Sequence, residues 1–439
     1  MTTDLLYRRR WLLIRLPIAL LASALAACAW VWLYPMPPTQ LTISAGQMDG
    51  AYQRYAERYV EAFARHGVDL AVQASSGSKE NLLRLQAAPS KADLAFVQGG
   101  FGWSSALGER RDVNRVQTLA VIDIEALWLF SLEDNLTALV QLMGKRVAAG
   151  PEGSGHRAML LRLLEQQRID PAALRWSDLS GTAARDALVR GEVDAVFMVA
   201  SPTAAGVLSL LGEPSVKLAA LARPTAIAER NNYLESRLLI QDALGPGQPP
   251  QDASLLTTPT HLVARDDLDP ALKRIATAVA MEVHSAAGPF HRAGEFPSLR
   301  FSDFPSAPEA RQVLIKGPSP LESTLPFWWA QLLQRLAIIG LPLALLCGLL
   351  FLIVPAWVRW RLESRVTRWY GELKFIENDL RTNSVDMGGI DLSRINSRLR
   401  KMDEDLDTMR LPRELADRWY ALRQHVAFVR ESIRGYRGR

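Results

Sequence analysis

Two long apolar runs constrain this chain of 439 residues more than any other feature of its sequence. The first spans Trp11 to Tyr34 and the second Leu336 to Val358, and each is almost free of charged residues. As a helix, either run is long enough to cross a hydrocarbon core of about 30 Å. The sequence therefore predicts two membrane spans, with a globular segment between them and a polar tail after the second.

The charges beside these runs predict their orientation. Arg8, Arg9 and Arg10 precede the first run, and Arg359 and Arg361 open the segment that follows the second. Because positively charged flanks stay in the cytoplasm, we expect both termini to be cytoplasmic and the main domain to be extracytoplasmic. The predicted location is the inner (cytoplasmic) membrane of a bacterium.

The charge balance of the middle segment argues against a nucleic-acid partner. The whole chain has 51 Lys and Arg against 46 Asp and Glu, but the basic excess lies in the membrane flanks and the tail. Between the two runs the chain is slightly acidic, and it has no basic stripe with interleaved aromatic residues. We therefore expect no nucleic acid among its partners.

The two cysteines, Cys28 and Cys347, both lie inside the apolar runs. No disulfide or metal framework is therefore expected in the middle segment, and we predict no cofactor. The segment Leu25–Cys28 resembles the lipobox of bacterial lipoproteins, which leaves cleavage and lipidation of Cys28 as an alternative. Because Trp30–Leu33 continue the apolar run beyond Cys28, we favour an uncleaved helix.

The middle segment begins with a repeated strand, loop and helix pattern. Three strand-like segments each end in a small, polar loop that contains glycine: Leu41–Ser44 before Gly46–Tyr52, Val68–Ala74 before Ser75–Asn81, and Leu94–Val97 before Gln98–Gly100. This order predicts an α/β domain with a doubly wound sheet, in which ligands bind at the carboxyl ends of the strands. Taken singly, each loop is better explained as a tight connection with a helix cap, but this explanation is weaker for all of them on the same side of one sheet.

The same pattern returns between Gly144 and Leu164, where a short strand meets a Gly-Pro-Glu-Gly-Ser-Gly turn and then an amphipathic helix. Such a helix start presents backbone N–H groups and a positive dipole end, so it can receive an anion or a carboxylate. A turn that merely leads into a packed helix is the alternative for this motif alone.

The fold class predicted from these elements is α/β, a bilobed clamp like a periplasmic binding protein, flanked by two transmembrane helices and followed by an α-helical tail. The predicted boundaries are 1–10 for the cytoplasmic N-terminus, 11–34 for the first span, 39–125 for the first part of lobe 1, 126–230 for lobe 2, 231–322 for the return to lobe 1, 327–358 for the second span with its interfacial entry, and 359–439 for the cytoplasmic helical tail.

The order of motifs resembles the solute-binding subunits of tripartite ATP-independent periplasmic (TRAP) transporters, and specifically the TAXI group. The resemblance covers residues 40 to 330 and rests on Gly46, Gly50–Tyr52, Ser76–Asn81, Asp93–Gln98, Gly144–Val147, Gly153–Gly155, Gly191–Phe197, Gly317–Pro320 and Leu325–Trp328. It implies a type II periplasmic-binding-protein fold that closes two lobes over a small, often carboxylate-bearing solute.

Carried over to this sequence, the resemblance implies a ligand site formed by Gly46, Gly50, Tyr52, Ser76, Gly77, Ser78, Asn81, Gln98, Gly153, Ser154, Gly155, His156, Met198 and Ser201. The chain departs from the family pattern at Ala51, His156 and Ser201. His156 lies at a helix N-terminus, where the dipole disfavours a positive charge, so we expect it to be neutral.

No catalytic or metal-binding pattern is visible. The six histidines show neither the spacing of a metal site nor a nucleophile with an adjacent base. The chain is therefore predicted not to be an enzyme.

The predicted function is that of a membrane-tethered extracytoplasmic solute-binding protein of a TRAP-type system. Its expected partners are a small-molecule solute, a multi-span permease and membrane lipid. The alternative is a solute-sensing receptor or assembly protein that signals through its tail, where apolar residues at helical spacing predict three helices and self-association through them.

Overall fold

A computed structural model describes residues 34–48, 50–102, 115–383, 392–409 and 415–436, together with separate residues between 20 and 32. Ten of the 24 residues of the first predicted span, 11–34, are therefore described, and the other residues of that span lie outside the described residues. The chain divides into two compact units, Met1–Gln334 and Arg335–Arg439.

The first unit is built on one mixed sheet of ten strands. The strands are β1 (Gln40–Ser44), β2 (Asp69–Gln73), β3 (Leu94–Gln98), β4 (Val116–Ser131), β5 (Arg146–Ala148), β6 (Arg175–Ser177), β7 (Ala195–Ala200), β8 (Lys217–Leu218), β9 (Glu235–Leu239) and β10 (Ala253–Arg265). Their order across the sheet is β2-β1-β3-β10-β4-β7-β5-β6, while β8 pairs with β4 and β9 with β10.

Helices connect and cover these strands. They are α1 (Ala51–Arg65), α2 (Ser78–Gln86), α3 (Gly155–Gln166), α4 (Gly181–Val189), α5 (Ala205–Leu211), α6 (Pro224–Ala228), α7 (Pro270–His284), α8 (Pro308–Lys316), α9 (Pro320–Thr324) and α10 (Phe327–Arg335). Short 3₁₀ turns at Leu139–Leu142 and Pro171–Ala173 flank β5.

Two long strands, β4 and β10, join two lobes. In lobe 1, β1 pairs in parallel with β2 and β3, and β3 pairs with the end of β10. In lobe 2, β5 pairs in parallel with β6 and β7, and β7 pairs with the end of β4. Since β4 and β10 also pair with each other in antiparallel fashion, they form the connection about which the lobes can move.

Each lobe has its own apolar core. In lobe 1, Tyr59 and Phe63 of α1 pack with Phe96 of β3 and with α7. In lobe 2, the rings of Trp128 and Phe130 stack with centroids 6.0 Å apart, and α4 and α5 cover them. Because core packing resists deformation, each lobe is expected to move as a rigid body.

The structure places the return to lobe 1 later than residue 231. β9 pairs with residues 253–257 of β10, and Leu239 and Leu255 pack in the core of lobe 2. Pairing with β3 begins only at Thr260. The chain therefore passes back to lobe 1 within β10, next to a register shift between Thr260 and His261.

One helix of the described residues, Phe327–Leu349, is long and apolar enough to cross a membrane by its length and composition. It starts earlier than the predicted run at Leu336, and Leu336–Gly340 has π-helical geometry. Its first residue, Phe327, is buried in the core of lobe 1 and donates its backbone N–H to the carbonyl of His66 at 2.9 Å.

The second unit contains the helices α11 (Leu341–Asn383), α12 (Leu392–Thr408) and α13 (Ala416–Tyr436). Ile376 of α11, Leu399 and Met402 of α12, and Leu422 and Val426 of α13 form one buried core. The predicted apolar faces of the tail thus pack against one another. The adjacent glycines Gly388 and Gly389, which predict a break between the first two tail helices, lie outside the described residues.

Asn81 connects the loops that follow the three parallel strands of lobe 1. Its Oδ1 accepts hydrogen bonds from the hydroxyls of Ser44 and Ser75, each at 2.6 Å. Its Nδ2 donates to the carbonyls of Ala45 and Phe96, at 2.6 and 2.8 Å. Because the side chain is fully buried, all its polar contacts are made within the protein.

We expect Asn81→Ala to lower the free energy of unfolding by about 2–4 kcal/mol, since it removes four buried hydrogen bonds, to the hydroxyls of Ser44 and Ser75 and to the carbonyls of Ala45 and Phe96. Denaturant titration of the purified chain in detergent measures the loss. Asn135→Ala, at an exposed position, is the matched control and should cost less than about 0.5 kcal/mol. Equal losses for the two variants would contradict this account.

Candidate functional site

A cavity of about 200 Å³ lies between the two lobes, at the carboxyl ends of the parallel strands. Eleven of the predicted ligand residues line it: Gly46, Gly50, Tyr52, Ser76, Gly77, Ser78, Gln98, Ser154, Gly155, His156 and Met198. The loops after β1, β2, β3, β5 and β7 all contribute, so residues far apart in the sequence meet at one place.

Three predicted residues do not line the cavity. Asn81 lies behind it and connects the lobe 1 loops, as described above. Gly153 has a φ of +88° in the turn before α3, next to the hydroxyl of Ser76. The hydroxyl of Ser201 lies 3.2 Å from that of Thr203, at the end of β7.

The structure adds lining residues that sequence reasoning missed: Gln47, Met48, Ala51, Glu125, Ser180, Gly181, Val199, Ala200, Ala204, Gly206 and Val207. Three of them had a signal in the sequence. Ser180 and Gly181 open a helix in the same way as Ser154 and Gly155, and Glu125 is an acidic residue within a buried apolar strand.

Four helices begin at the cavity. Ala51, Ser78, Gly155 and Gly181 are the first residues of α1, α2, α3 and α4, and each lines the cavity. The first N–H groups of a helix have no partner within it, and the dipole gives that end a partial positive charge. Four such ends around one cavity create a positive potential without a cationic side chain.

The lobes are in contact around this cavity. Ser180 of lobe 2 donates a hydrogen bond to Gln47 Oε1 of lobe 1 at 2.9 Å, and Arg162 of lobe 2 donates to the carbonyl of Gly100 at 2.6 Å. A Cβ added at Gly77 would lie 3.4 Å from the backbone nitrogen of Gly155. The structure therefore represents a closed clamp, and glycine allows the two backbones to approach.

His156 is held as a neutral side chain. Its Nδ1 accepts a hydrogen bond from the backbone N–H of Val199 at 3.0 Å, so the proton of the neutral ring is on Nε2. Burial lowers the pKa of His156 to about 4. The ring is thus an uncharged donor at the cavity, as expected, although burial and not the helix dipole is the main cause.

The side-chain amide of Gln98 does not make all the hydrogen bonds that it could make. The residue is 2% exposed, and its backbone N–H donates to Ser78 Oγ at 2.9 Å. Its Nε2 has no hydrogen-bond partner among the described residues. Because a buried amide without a partner is costly, this group is suited to donate to a bound molecule.

Glu125 is the one acidic side chain among the described residues that line the cavity. It is 4% exposed, and Tyr52 donates its hydroxyl to Glu125 Oε2 at 2.9 Å. Burial raises the pKa of Glu125 to about 8. Burial also raises the pKa of Tyr52 well above its usual range, and the neighbouring Glu125 adds to that shift. At neutral pH both groups are therefore uncharged.

No Lys or Arg is among the described residues that line the cavity. The described part of the chain also has no group of three or more His, Cys, Asp or Glu side chains able to hold a metal ion. The polar character of the cavity comes from backbone N–H groups, hydroxyls, one amide, one imidazole and one carboxyl group.

The fold and cavity define a protein of the periplasmic-binding-protein-like class, which confirms the predicted bilobed α/β fold. The chain belongs to the NMT1-like family, whose model matches residues 43–295. Members of this family are substrate-binding proteins and not enzymes, which confirms that this chain is not an enzyme. No curated protein matches the sequence.

Solved structures with a similar fold include the periplasmic aliphatic sulphonate binding protein SsuA from Escherichia coli, at 17% identity, 56% coverage of this chain, 73% coverage of SsuA and a TM-score of 0.35. MatC from Rhodopseudomonas palustris, solved with bound malate, is 18% identical, with coverages of 68% and 96% and a TM-score of 0.40. Neither solute is assigned to this chain at such similarity.

We expect Glu125→Gln to change how stability depends on pH. A Glu side chain titrates near 4.5 when unfolded and near 8 in this fold, so the folded state holds an additional proton between these values. The wild-type free energy of unfolding should therefore fall as the pH rises through this window, while Gln keeps its stability. Melting temperatures of both proteins from about pH 5 to about pH 9 measure the difference.

The control for this experiment is Glu57→Gln, an exposed position on the same helix as Tyr52. As the pH rises, the melting temperature of the Glu125→Gln protein should increase relative to that of the wild type, and the melting temperature of the Glu57→Gln protein should not. A wild-type to Glu125→Gln difference that stays constant with pH would contradict the raised pKa of Glu125.

We expect Gly155→Ala to open the clamp, because a Cβ at this position would lie 2.5 Å from Gln98 Oε1. Spin labels on cysteines at Lys91 and Glu192, which are exposed on different lobes, report the distance between the lobes once the native cysteines are replaced. The distance should increase in Gly155→Ala. When Gln98→Ala is added and removes the obstructing amide, the distance should return to the wild-type value. An unchanged distance in Gly155→Ala alone would contradict the closed state of the clamp.

Proposed function

We propose that this chain is a membrane-anchored, extracytoplasmic solute-binding protein that closes two lobes over a small carboxylate-bearing solute. The observation that carries the proposal is the meeting of four helix N-termini at one cavity between the lobes. Backbone N–H groups at helix starts bind anions directly. A cavity of about 200 Å³ is sized for a small molecule and not for a peptide segment.

The polar groups of the cavity suit a carboxylate better than a cation. Ser78, Gln98 and His156 each offer a donor, and the helix starts add backbone N–H groups. An ammonium group would meet four positive dipole ends and a neutral Glu125. Closure removes water from the cavity and thereby strengthens the hydrogen bonds to the solute.

The finer assignment to the TAXI group of TRAP systems rests on the motif resemblance, and we keep it as part of the proposal. It implies that a multi-span permease accepts the solute. A permease gene beside the gene for this chain would favour transport. The second candidate, a solute sensor, is favoured by the separate core of the second unit, formed by residues such as Ile376, Leu399 and Val426.

We further propose that the apolar helix Phe327–Leu349 spans the inner membrane and that both termini are cytoplasmic. Trp328 and Trp329, both exposed, are suited to the membrane interface at the start of this helix. Single cysteines at Ser90 and Arg398 provide a test in intact cells with a permeable outer membrane. A membrane-impermeant maleimide should label Ser90→Cys and not Arg398→Cys, and the reverse result would refute the orientation.

Binding itself is tested by thermal shifts of the purified chain against malate, succinate, 2-oxoglutarate, amino acids, sulfonates and polyamines. We expect carboxylates to stabilise the protein. Gln98→Ala should weaken their binding about tenfold, since it removes a hydrogen bond to a charged group. Gln241→Ala, an exposed glutamine in lobe 2, is the matched control. A well-folded chain that no panel compound stabilises would count against the proposal.

A further inference from the structure

The carboxyl group of Glu125 is an unusual component for a site that attracts anions. It lines the cavity and is almost fully buried, on the strand β4 that connects the lobes. Tyr52, at the start of α1, donates its hydroxyl to Oε2 at 2.9 Å. An ionised Glu125 would repel a carboxylate solute, so its protonation state decides what the cavity accepts.

We propose that Glu125 receives one anionic oxygen of the solute as a neutral carboxylic acid, so that a carboxylate is bound together with a proton held by the protein. This inference rests on the proposed function and specifies the chemistry of the same site. Tyr52 donates to Oε2, which leaves Oε1 as the oxygen that carries the acid proton. That proton can be donated to the solute, and an O–H···O⁻ hydrogen bond is among the stronger ones available.

The groups packed around Glu125 act on its ionisation in both directions. Tyr52, which donates its hydroxyl to Glu125, and the hydroxyl of Thr260 lower the pKa of Glu125, but burial raises it by more. Tyr55 of α1 also lies near, and β10 places Thr258 directly opposite Glu125 in the sheet. Asp123 on the same strand adds negative charge, which raises the pKa of Glu125 in the same direction as burial does.

Two histidines lie beyond Asp123. His291 Nε2 is 3.5 Å from Asp123 Oδ1, so it pairs with Asp123 and not with Glu125. Burial lowers the pKa of His284 to about 4, so it is neutral. Neither Lys nor Arg lines the cavity within the described residues. Besides the helix dipoles, Glu125 therefore has no cationic side chain beside it that would favour ionisation.

A dependence on pH follows. Below a pH of about 8 Glu125 already carries its proton, so the affinity should be constant. Above that pH each molecule of solute must bring one proton with it, and the dissociation constant should rise about tenfold for each pH unit. A cationic solute that paired with ionised Glu125 would show the opposite trend.

The experiment uses the full-length chain in detergent and has two parts. Infrared difference spectra of wild type against Glu125→Gln, without solute at about pH 7, should contain the carbonyl band of one protonated carboxyl group. Calorimetric titration with succinate and malate from about pH 6 to about pH 9 then gives the affinity. Buffers of different ionisation enthalpy reveal the number of protons taken up.

Three variants give the titration a more specific outcome. Glu125→Gln keeps an N–H donor but cannot ionise, so its affinity should be independent of pH, whereas Glu125→Ala should lose about tenfold to a hundredfold at every pH. Asp123→Asn removes the neighbouring negative charge outside the cavity lining. It should shift the onset of the affinity loss to lower pH.

The inference is overturned by the absence of the carboxyl band, by a wild-type affinity for the dicarboxylates that is flat across this range, or by no dicarboxylate binding at any pH. It is also overturned if a panel amine binds more tightly as the pH rises and Glu125→Gln abolishes that binding. In the flat case the clamp still captures a carboxylate, so the proposed function survives. In the amine case solute capture survives, but the carboxylate part of the proposed function falls with this inference. Only a chain that binds no panel compound counts against both.

Discussion

The pairing of β4 with β10 is the constraint on which the rest of this molecule depends. The two antiparallel strands cross from one lobe to the other, so they fix which loops face each other across the cleft. Nearly every residue of β4 is buried, because helices cover both faces of the sheet. A change in their register would move Glu125 and the strand ends of both lobes together.

If the proposed function is right, the cavity attracts an anion without a cationic side chain among its described lining residues. Helix starts and neutral donors supply the positive potential, and they are held in place by the sheet. Behind them, the buried side chain of Asn81 has hydrogen-bond partners for both its oxygen and its nitrogen. The hydrogen-bond donors of such a site are held rigidly within each lobe, while the gap between the lobes can change.

Much of this site could be predicted from the sequence, because local residue patterns indicate where strands end and where helices begin. Gly46, Ser78 and Ser154 line the cavity since each follows a strand whose end faces the cleft. The pattern could not distinguish Asn81 from its neighbours, because a short amide at a helix start can face a solute or the backbone. That choice depends on which carbonyls the neighbouring strands leave unpaired.

Glu125 was not predicted as a cavity residue, for a related reason. Its position within an apolar strand indicates burial, but only the crossing of β4 between the lobes brings it to the cavity. Local patterns could also not locate the return of the chain to lobe 1, which was predicted at residue 231. Whether β9 belongs to one lobe or the other depends on its pairing with β10, which is a long-range contact.

The attachment of the apolar helix gives the molecule a mechanical asymmetry. Phe327 packs in the core of lobe 1, and Gln331 donates to Glu322, which also accepts from Arg274 of α7. These contacts join the first turns of the helix, within the first unit, to the core of lobe 1. In the proposed function, closure over a solute is therefore a movement of lobe 2 towards the lobe that carries the start of the membrane helix.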